Sequence, residues 1–256
     1  MNSSETIDDK QKPKEDLLQE RVKAVDATPE LHYGDLSIDK YVNKRLWKYQ
    51  SLLEPYLVNG KTKILEIGCY TGNMLIFFPS KVEYWGIDFD DKAIEIAKKR
   101  GAKIIKCHLD VDDLPITDKF DIIICTEVLE HLVHPAKMAE NIKKLMKDNG
   151  IVLISLPNEN TIYHRIMSML GKGIDMCAFE LYKHLHLPTV KQSEAFVGKH
   201  FKIIKKDYYI NPSARGSRSE WLGNILTKIP DPFWEKMTKL FPGLFARGVM
   251  FLCCKL

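Results

Sequence analysis

The chain has 256 residues, of which 45% are hydrophobic and 28% are charged, so it is long enough to bury one full core. No apolar run approaches the ~18 residues of a membrane-spanning helix, and the polar N-terminus predicts no signal peptide. The net charge of +4 comes without a basic arm, which disfavours nucleic acid as a partner. The six cysteines include no C-x-x-C pair, and we interpret them as reduced thiols of a cytoplasmic protein.

The first sixty residues predict a tail and a helix. Residues 1–30 are polar and are expected to be a disordered tail. Residues 31–60 are expected to form an N-terminal cap helix, interrupted or ended early by Pro55. The apolar residues that share one face of this helix, at spacings of four and three, are Val42, Leu46, Tyr49, Leu53 and Tyr56.

The stretch over 61–88 predicts one βαβ unit. Residues 64–67 form a short apolar run that predicts a buried parallel strand. The run ends at Gly68, and an apolar helical run begins after a second glycine, Gly72. A second strand, predicted over 82–87, ends on Asp88. Strand, glycine turn, helix, strand and terminal acid together predict a nucleotide-binding unit.

The spacing of the glycines indicates which nucleotide. A nicotinamide fingerprint that started at Gly68 would need glycines where Tyr70 and Asn73 stand, so the backbone cannot approach a pyrophosphate closely. A cofactor without phosphates has no such requirement. The pattern Glu66-x-Gly68-x-x-x-Gly72 resembles motif I of the class I S-adenosylmethionine-dependent methyltransferases.

This resemblance implies where the cofactor lies. The turn would pass under its methionine half, and Asp88, twenty residues after Gly68, would bind both ribose hydroxyls. A carboxylate suits this role because it accepts two hydrogen bonds from a diol. The cofactor-binding residues that the resemblance implies are Glu66, Gly68, Cys69, Tyr70, Gly72, Asp88, Phe89, Asp110, Val111 and Thr126.

The adenine end of the site is expected after the third strand, predicted over 102–107. In methyltransferases similar to this chain, an acid beyond that strand accepts a hydrogen bond from the adenine amino group, and the next backbone amide reaches a ring nitrogen. Asp110 and Val111 match these positions. Asp112 and Asp113 stay open as rivals for the acid.

The fourth strand is predicted over 120–125, where four consecutive apolar residues indicate that both faces are covered. It leads directly into 126–131, TEVLEH, and ligands in open α/β sheets bind outside the carboxyl ends of the strands. A helix with Met146 on its inner face is expected to end at 149–150, and 151–156 predict the fifth strand.

A group of acids and histidines follows the fourth strand. If Glu127 begins a helical turn, then Glu127, Glu130 and His131 share one face. Two carboxylates and an imidazole crowded together favour a cationic partner such as a divalent ion. This pattern, with a later histidine, resembles the metal site of the ubiquinone-pathway O-methyltransferases and the small-RNA 2′-O-methyltransferases. The resemblance implies Mg²⁺ or Mn²⁺, with His184 as the later histidine and His186 as second choice.

Two other interpretations of this group stay open. The same residues are candidates for direct acid–base work or substrate binding, or they are structural. The candidate catalytic residues are His184, His131 and Glu127; among bases that work without a metal, His184 comes first, and the others are His131, His134 and His186.

The last third of the chain departs from alternating strands and helices. Residues 161–171 predict a short helix, Thr189 to Gln192 a capping box that begins another, and 201–209 a sixth strand. Residues 211–245 predict a helical insertion before a last strand over 246–256. The insertion is interpreted as a cap over the core, or as a substrate lid or peripheral membrane contact through 219–245.

We therefore expect an α/β fold: a Rossmann-like, doubly wound, mostly parallel seven-stranded sheet with its last strand antiparallel. One domain is predicted over 31–256, with a cofactor-binding core over 61–210. By resemblance the chain is identified as a class I methyltransferase of the ubiquinone-pathway O-methyltransferase-like group (methyltransferase domain type 23). It is expected to use S-adenosylmethionine to methylate an oxygen of a small-molecule, lipid or glycan acceptor; a nitrogen or carbon target is the less favoured expectation. The alternatives are an RNA 2′-O-methyltransferase and a non-catalytic module that regulates a partner.

Overall fold

The computed structural model describes residues 40–58, 62–78, 82–171, 184–209 and 231–256. The strands are β1 (Lys63–Ile67), β2 (Glu83–Asp88), β3 (Lys103–Lys106), β4 (Phe120–Thr126), β5 (Met146–Pro157), β6 (Lys202–Tyr209) and β7 (Gly248–Cys254). Within the described residues they form one sheet in the order β3-β2-β1-β4-β5-β7-β6. In that sheet β7 runs antiparallel to both of its neighbours, β5 and β6, whereas all the other neighbouring strands are parallel to each other. This confirms the predicted Rossmann-like sheet with its last strand antiparallel.

The helices are α1 (Lys40–Leu53), α2 (Asp91–Lys99), α3 (Pro135–Leu145), α4 (Ile162–Met169), α5 (Val190–His200), α6 (Asp231–Leu240) and α7 (Pro242–Phe245). Short 3₁₀ helices lie at Glu54–Tyr56, Asn73–Phe77 and Leu129–His131. At the start of α5, Thr189 and Gln192 form both hydrogen bonds of the predicted capping box. Among the described residues, no helix is long and apolar enough to cross a membrane.

The central strands are buried on both faces, as their unbroken apolar runs predict. Ile123 and Cys125 of β4 belong to the hydrophobic cluster that includes α3 and α5, whereas Ile122 and Ile124 belong to the cluster on the other face, which includes α1. Successive side chains of a strand point to opposite faces. Each face of the sheet is therefore covered by its own layer of helices.

Several boundaries differ from the prediction. The helix expected to continue to 149–150 ends at Leu145, and Met146 is the first residue of β5, paired with Phe120, instead of lying on the inner helix face. The register between β4 and β5 shifts after this pair, and Gly150 lies where an added Cβ would come 3.0 Å from the Phe120 carbonyl oxygen. The extra residues are thus accommodated as an irregular strand start at a position that favours glycine.

The segment after the glycine turn also differs. An apolar helical run was expected from Gly72, but the residues described between Gly72 and β2 (72–78 and 82) contain only a 3₁₀ helix, over Asn73–Phe77. Pro79 follows in the sequence and leaves no room for a longer helix. At the end of α1, Tyr56 is exposed while Tyr49 and Leu53 are buried, because the helix gives way to a 3₁₀ turn that contains Pro55.

Four parallel strands that are neighbours in the sheet, β2, β1, β4 and β5, present their carboxyl ends at one edge. Of the residues predicted to bind the cofactor or to carry chemistry, the glycine turn follows β1, Phe89 follows β2, and the segment from Glu127 to His131 follows β4. The predicted tail over 1–30 and residues 211–230 of the predicted insertion lie outside the described residues.

Candidate active site

The turn after β1 is built around Gly68. The N–H groups of Gly68 and Cys69 both donate to the carbonyl of Ile87, at 2.8 and 3.0 Å. Gly68 has a φ of 69°, and an added Cβ would lie 2.5 Å from Cγ2 of Val128. Only glycine combines this conformation with this closeness. Tyr70 also has a positive φ, of 48°, so the turn holds a non-glycine residue in a costly conformation.

Asp88, at the end of β2, joins that turn to the next loop. Its Oδ2 accepts from the Tyr70 N–H at 2.7 Å, and its Oδ1 accepts from the Phe89 and Asp90 N–H groups at 2.8 and 3.0 Å. Burial raises the pKa of the Asp88 carboxyl, against the opposing effect of these donors. A carboxylate has roughly four acceptor positions, so three backbone bonds leave one for a ligand hydroxyl.

Glu66 points elsewhere. It is buried and pairs with the hydroxyl of Tyr84, inside the hydrophobic cluster beneath α1. Burial, with the nearby charge of Asp88, raises the pKa of Glu66 well above its usual range. The structure therefore shows Glu66 linking β1 to Tyr84 of β2, and the contact with the cofactor that the resemblance implies stays a prediction.

The loops expected to hold adenine place Phe89 beside His108, with ring centroids 5.0 Å apart. Val111 is exposed at the rim. The three candidate acids for the adenine end, Asp110, Asp112 and Asp113, contact different partners. Asp110 bonds to the segment after β4, at the backbone N–H of Val133, whereas Asp112 bonds back to the His108 N–H. Asp113 is exposed near Lys137.

The segment after β4 is not the helical turn that the sequence suggested. Glu127 has a φ of 56°, in the left-handed region, and the 3₁₀ helix begins only at Leu129. The premise that Glu127, Glu130 and His131 share one helix face is therefore wrong. The left-handed residue turns the Glu127 side chain toward β5 and β6 instead.

Glu127 belongs to a partly buried polar network that the sequence analysis did not identify. Its Oε1 accepts hydrogen bonds from Ser155 at 2.7 Å and from Tyr209 at 2.9 Å, and its Oε2 lies 3.4 Å from Nη1 of Arg45. The hydroxyl of Tyr49 donates to Ser155 at 2.7 Å. Burial and the Glu127 charge raise the pKa of Tyr209 well above its usual range, so its hydroxyl stays a donor.

The network fixes α1 against the ends of three strands. Two sequence signals could have indicated it: Ser155 is a lone hydroxyl in an apolar strand, and Arg45 stands four residues before Tyr49 on one helix face. Nothing local could have paired either of them with Glu127, because that contact depends on how α1 packs on the sheet.

Glu130, His131 and His184 come together, as predicted. One nitrogen of each histidine and one carboxylate oxygen of Glu130 all lie within 4.8 Å of one another. The centroids of the two histidine rings are 4.6 Å apart, and the rings meet edge to face. Glu130 is fully buried, and neither of its carboxylate oxygens has a hydrogen-bond partner among the described residues. Burial, with the Glu127 charge next in importance, raises the pKa of Glu130 well above its usual range.

The loop that carries His184 is anchored to the same segment. The N–H groups of Leu185 and His186 donate to the Glu130 carbonyl at 2.9 and 3.0 Å. His186, the second choice for the later histidine, is exposed, and its Nε2 bonds to the carbonyl of Leu132. His134, a further candidate base, is also exposed, at the start of α3. Neither belongs to the group of Glu130, His131 and His184.

Glu159 is a second acid that the sequence analysis passed over. It follows β5, is buried, and its Oε1 lies 2.9 Å from Nδ1 of His184. Its Oε2 lies 3.8 Å from Nε2 of His164. Burial alone would raise the pKa of Glu159, but the His184 hydrogen bond and the Arg247 charge outweigh it, and the pKa is lowered.

A glycine turn, an acid at the end of the second strand and a seven-stranded sheet with an antiparallel last strand define the class I S-adenosylmethionine-dependent methyltransferases. A family described as Methyltransferase domain matches residues 38–199, more than half of the chain. The chain belongs to this family, as the sequence predicted, and is an S-adenosylmethionine-dependent enzyme.

The chain is similar to several known proteins in sequence or in fold. A protein named ubiquinone biosynthesis O-methyltransferase from Glaesserella parasuis is 29% identical over 185 residues, which cover 60% of this chain and 78% of that protein. An uncharacterized protein of Methanocaldococcus jannaschii is 33% identical over 136 residues, which cover 52% of this chain but only 60% of that protein. One chain of a complex that contains the Haloferax volcanii Trm112 methyltransferase activator superposes with a TM-score of 0.57 at 14% identity, over 86% of this chain and 94% of that chain. At that identity the likeness concerns the fold alone.

Proposed function

We propose that this enzyme transfers the methyl group of S-adenosylmethionine to an oxygen of a small-molecule acceptor. The observation that carries the proposal is the group formed by Glu130, His131 and His184, which lies at the carboxyl edge of the sheet beside the glycine turn. A hydroxyl must lose its proton to accept a methyl group, and a histidine is suited to remove it near neutral pH. The name of the Glaesserella parasuis relative, an O-methyltransferase, supports the same choice.

For the cofactor, we propose that the turn from Gly68 to Gly72 lies under the methionine half and that Asp88 accepts from the ribose. Its one remaining acceptor position suits one ribose hydroxyl, where the resemblance implied both. At the adenine end we favour Asp110 over its rivals, because Asp110 lies toward the segment after β4. Phe89, Val111 and Thr126 would complete that end of the pocket.

For the proton, we propose His184 as the base. Its Nδ1 is engaged by Glu159, so Nε2 is the ring nitrogen left to receive a proton from the acceptor. His131 lies beside it and would orient the hydroxyl. Glu127, which the sequence placed among the catalytic residues, faces Arg45 and Tyr209 instead, and we assign it to the network beneath α1. Because the sulfonium is already activated, orientation and a closed pocket supply most of the remaining rate enhancement.

A divalent ion also fits this place. A buried carboxyl group without a partner keeps its proton unless a cation joins it, and Glu130 is such a group among the described residues. In this alternative Glu130, His131 and His184 would hold the ion, and Nε2 of His184 would be a ligand instead of the base. Two imidazoles and one carboxylate suit Mn²⁺ better than Mg²⁺, which prefers oxygen ligands. A bound ion would lower the pKa of the acceptor hydroxyl.

Three smaller predictions stay open. The cytoplasmic location rests on the cysteines, five of which are described and are free. Peripheral membrane contact through 219–245 rests, in the described part, on the exposed side chains of Phe233, Leu240 and Phe241. The predicted limits of the domain, 31–256, rest on the sequence alone.

The proposal can be tested with the purified protein. Calorimetric titration with S-adenosylhomocysteine should show binding that is weakened at least tenfold in Asp88→Ala. Asp148→Ala, which alters an exposed acid paired with Lys255, is the matched control and should bind normally. Absence of binding to the wild-type protein would overturn the assignment of the cofactor site.

The acceptor requires a second measurement. Transfer of labelled methyl from S-adenosylmethionine should be followed on a panel of phenols, catechols, amines and RNA oligonucleotides. We expect transfer to a hydroxyl-bearing small molecule, lost in His184→Ala while cofactor binding is kept. Transfer only to RNA, or only to amines, would contradict the proposed acceptor class.

A further inference from the structure

Glu159 lies between two histidines that come from different parts of the chain. One carboxylate oxygen, Oε1, is 2.9 Å from Nδ1 of His184, and the other, Oε2, is 3.8 Å from Nε2 of His164 on α4. Nδ1 of His164 is in turn 3.3 Å from Oγ1 of Thr161. The side chain of Glu159 is only about 10% exposed. The carboxylate is therefore held on both sides, and its position is set by the fold.

The contact with His184 decides how that imidazole can act. A carboxylate accepts hydrogen bonds, so the nitrogen that faces it must carry the proton. With the proton on Nδ1, the lone pair of the neutral ring is on Nε2. A ring held in this way can take a proton, or bind an ion, only through Nε2, and a partner carboxylate also raises the basicity of that nitrogen.

We propose that Glu159 is a positioning residue that holds the His184 ring with its proton on Nδ1 and its Nε2 available to the group formed with Glu130 and His131. This inference rests on the proposed function, because it assigns to Glu159 the task of preparing His184 for that site. Nothing in the sequence motif points to Glu159, which is separated from His184 by 25 residues.

A second glutamate–histidine pair in the chain shows what a merely structural contact looks like. Glu140 lies 3.1 Å from Nδ1 of His200, but its side chain is about half exposed, at 51%, and it also pairs with Lys143. The two histidines make the same kind of contact, but among the described residues His184 is grouped with Glu130 and His131, whereas His200 belongs to no such group. Glu140 therefore provides the matched control for Glu159.

The tautomer of His184 can be measured directly, without substrate or metal. We would label the histidines of the full chain with ¹⁵N and record long-range ¹H–¹⁵N correlation spectra of the neutral ring, assigning His184 by the signal that His184→Gln removes. In the wild type we expect the proton on Nδ1. In Glu159→Ala it should move to Nε2 or be shared between the two, whereas in Glu140→Ala it should stay on Nδ1. A wild-type proton on Nε2, or a spectrum unchanged by Glu159→Ala, would overturn the proposal.

Mn²⁺ affinity and cofactor affinity separate this inference from the proposed function. S-adenosylhomocysteine should bind Glu159→Ala as it binds the wild type, whereas Mn²⁺ should bind the variant about 10- to 100-fold more weakly. Glu159→Gln, which keeps an acceptor oxygen for Nδ1, should recover part of the Mn²⁺ affinity. If Glu159→Ala bound Mn²⁺ like the wild type, Glu159 would have no positioning role, and unchanged binding of S-adenosylhomocysteine would still support the cofactor site. A wild-type protein that did not bind S-adenosylhomocysteine would instead count against the proposed function.

Discussion

Asp110 and Val133 join two loops of the candidate active site, since Oδ1 of Asp110 accepts a hydrogen bond of 2.8 Å from the backbone N–H of Val133. Asp110 follows β3, on the side where adenine is expected, and Val133 stands two residues after His131. One carboxylate therefore connects the expected cofactor pocket to the segment that carries the proposed chemistry.

Removal of the Asp110 carboxylate should weaken cofactor binding and also lower turnover. A hydrogen bond to a charged group contributes about 1.5–3 kcal/mol, so Asp110→Ala should weaken S-adenosylhomocysteine binding about tenfold or more. Turnover should stay reduced even at saturating S-adenosylmethionine, because the segment with His131 loses its support. Asp113→Ala alters an exposed acid and should leave both values unchanged. Normal turnover of Asp110→Ala at saturating cofactor would show that the hydrogen bond to Val133 does not contribute to catalysis.

Gly68→Ala should destabilise the protein more than the same change at another glycine of positive φ. At Gly68 the new Cβ meets Cγ2 of Val128 at 2.5 Å, whereas at Gly101, with a φ of 94°, nothing lies within 4 Å. The left-handed conformation alone costs an alanine about 1–2 kcal/mol, and forced overpacking adds about 1–3 kcal/mol. Urea unfolding should therefore show a loss of about 3 kcal/mol for Gly68→Ala and about half of that for Gly101→Ala. Equal losses would mean that Val128 moves aside without cost.

The features predicted correctly from the sequence are those that depend on near neighbours. The apolar run of β4 correctly predicted a strand that is buried on both faces. The pair Thr189 and Gln192 correctly predicted where α5 begins. The order of glycines and acid from Gly68 to Asp88 was enough to identify the family. Each of these signals lies within about twenty residues and follows from backbone geometry.

The features that the sequence did not reveal depend on tertiary placement. Glu127 was expected at the start of a helical turn, but its contacts with Ser155 and Tyr209, which are 28 and 82 residues away, accompany a left-handed backbone. Propensity argues against this conformation, and only the assembled fold stabilises it. Glu159 was overlooked for the same reason, because its relationship to His184 exists only after β5 and the His184 loop meet.

Glu66 should make the stability of the protein depend on pH. Its folded-state pKa is raised by burial, so the folded protein keeps a proton that the unfolded chain releases above about pH 4.3. The contribution of this group to the free energy of unfolding therefore falls as pH rises from about 4.3 through the raised folded-state pKa. Glu66→Gln removes the titration and keeps a partner for Tyr84, so it should lose less stability than the wild type between pH 5 and pH 8 in urea unfolding. Glu83→Gln, at an exposed acid of β2, is the control, and identical pH slopes for wild type and Glu66→Gln would contradict the assignment.

The response to Mn²⁺ should distinguish the ligand set proposed here, Glu130, His131 and His184, from the one that the sequence suggested, which also included Glu127. A ligand that binds only the folded protein stabilises it by about 2.7 kcal/mol at one hundred times its dissociation constant, so Mn²⁺ should raise the melting temperature of the wild type in differential scanning fluorimetry. Glu130→Gln should abolish this rise, because it replaces the buried carboxylate between His131 and His184. Glu127→Gln should preserve the rise, measured against its own metal-free melting temperature, because Glu127 is engaged with Arg45 and lies outside that group. Loss of the rise in Glu127→Gln would return Glu127 to the ligand set, and a wild type that did not respond would leave His184 to act as a base without an ion.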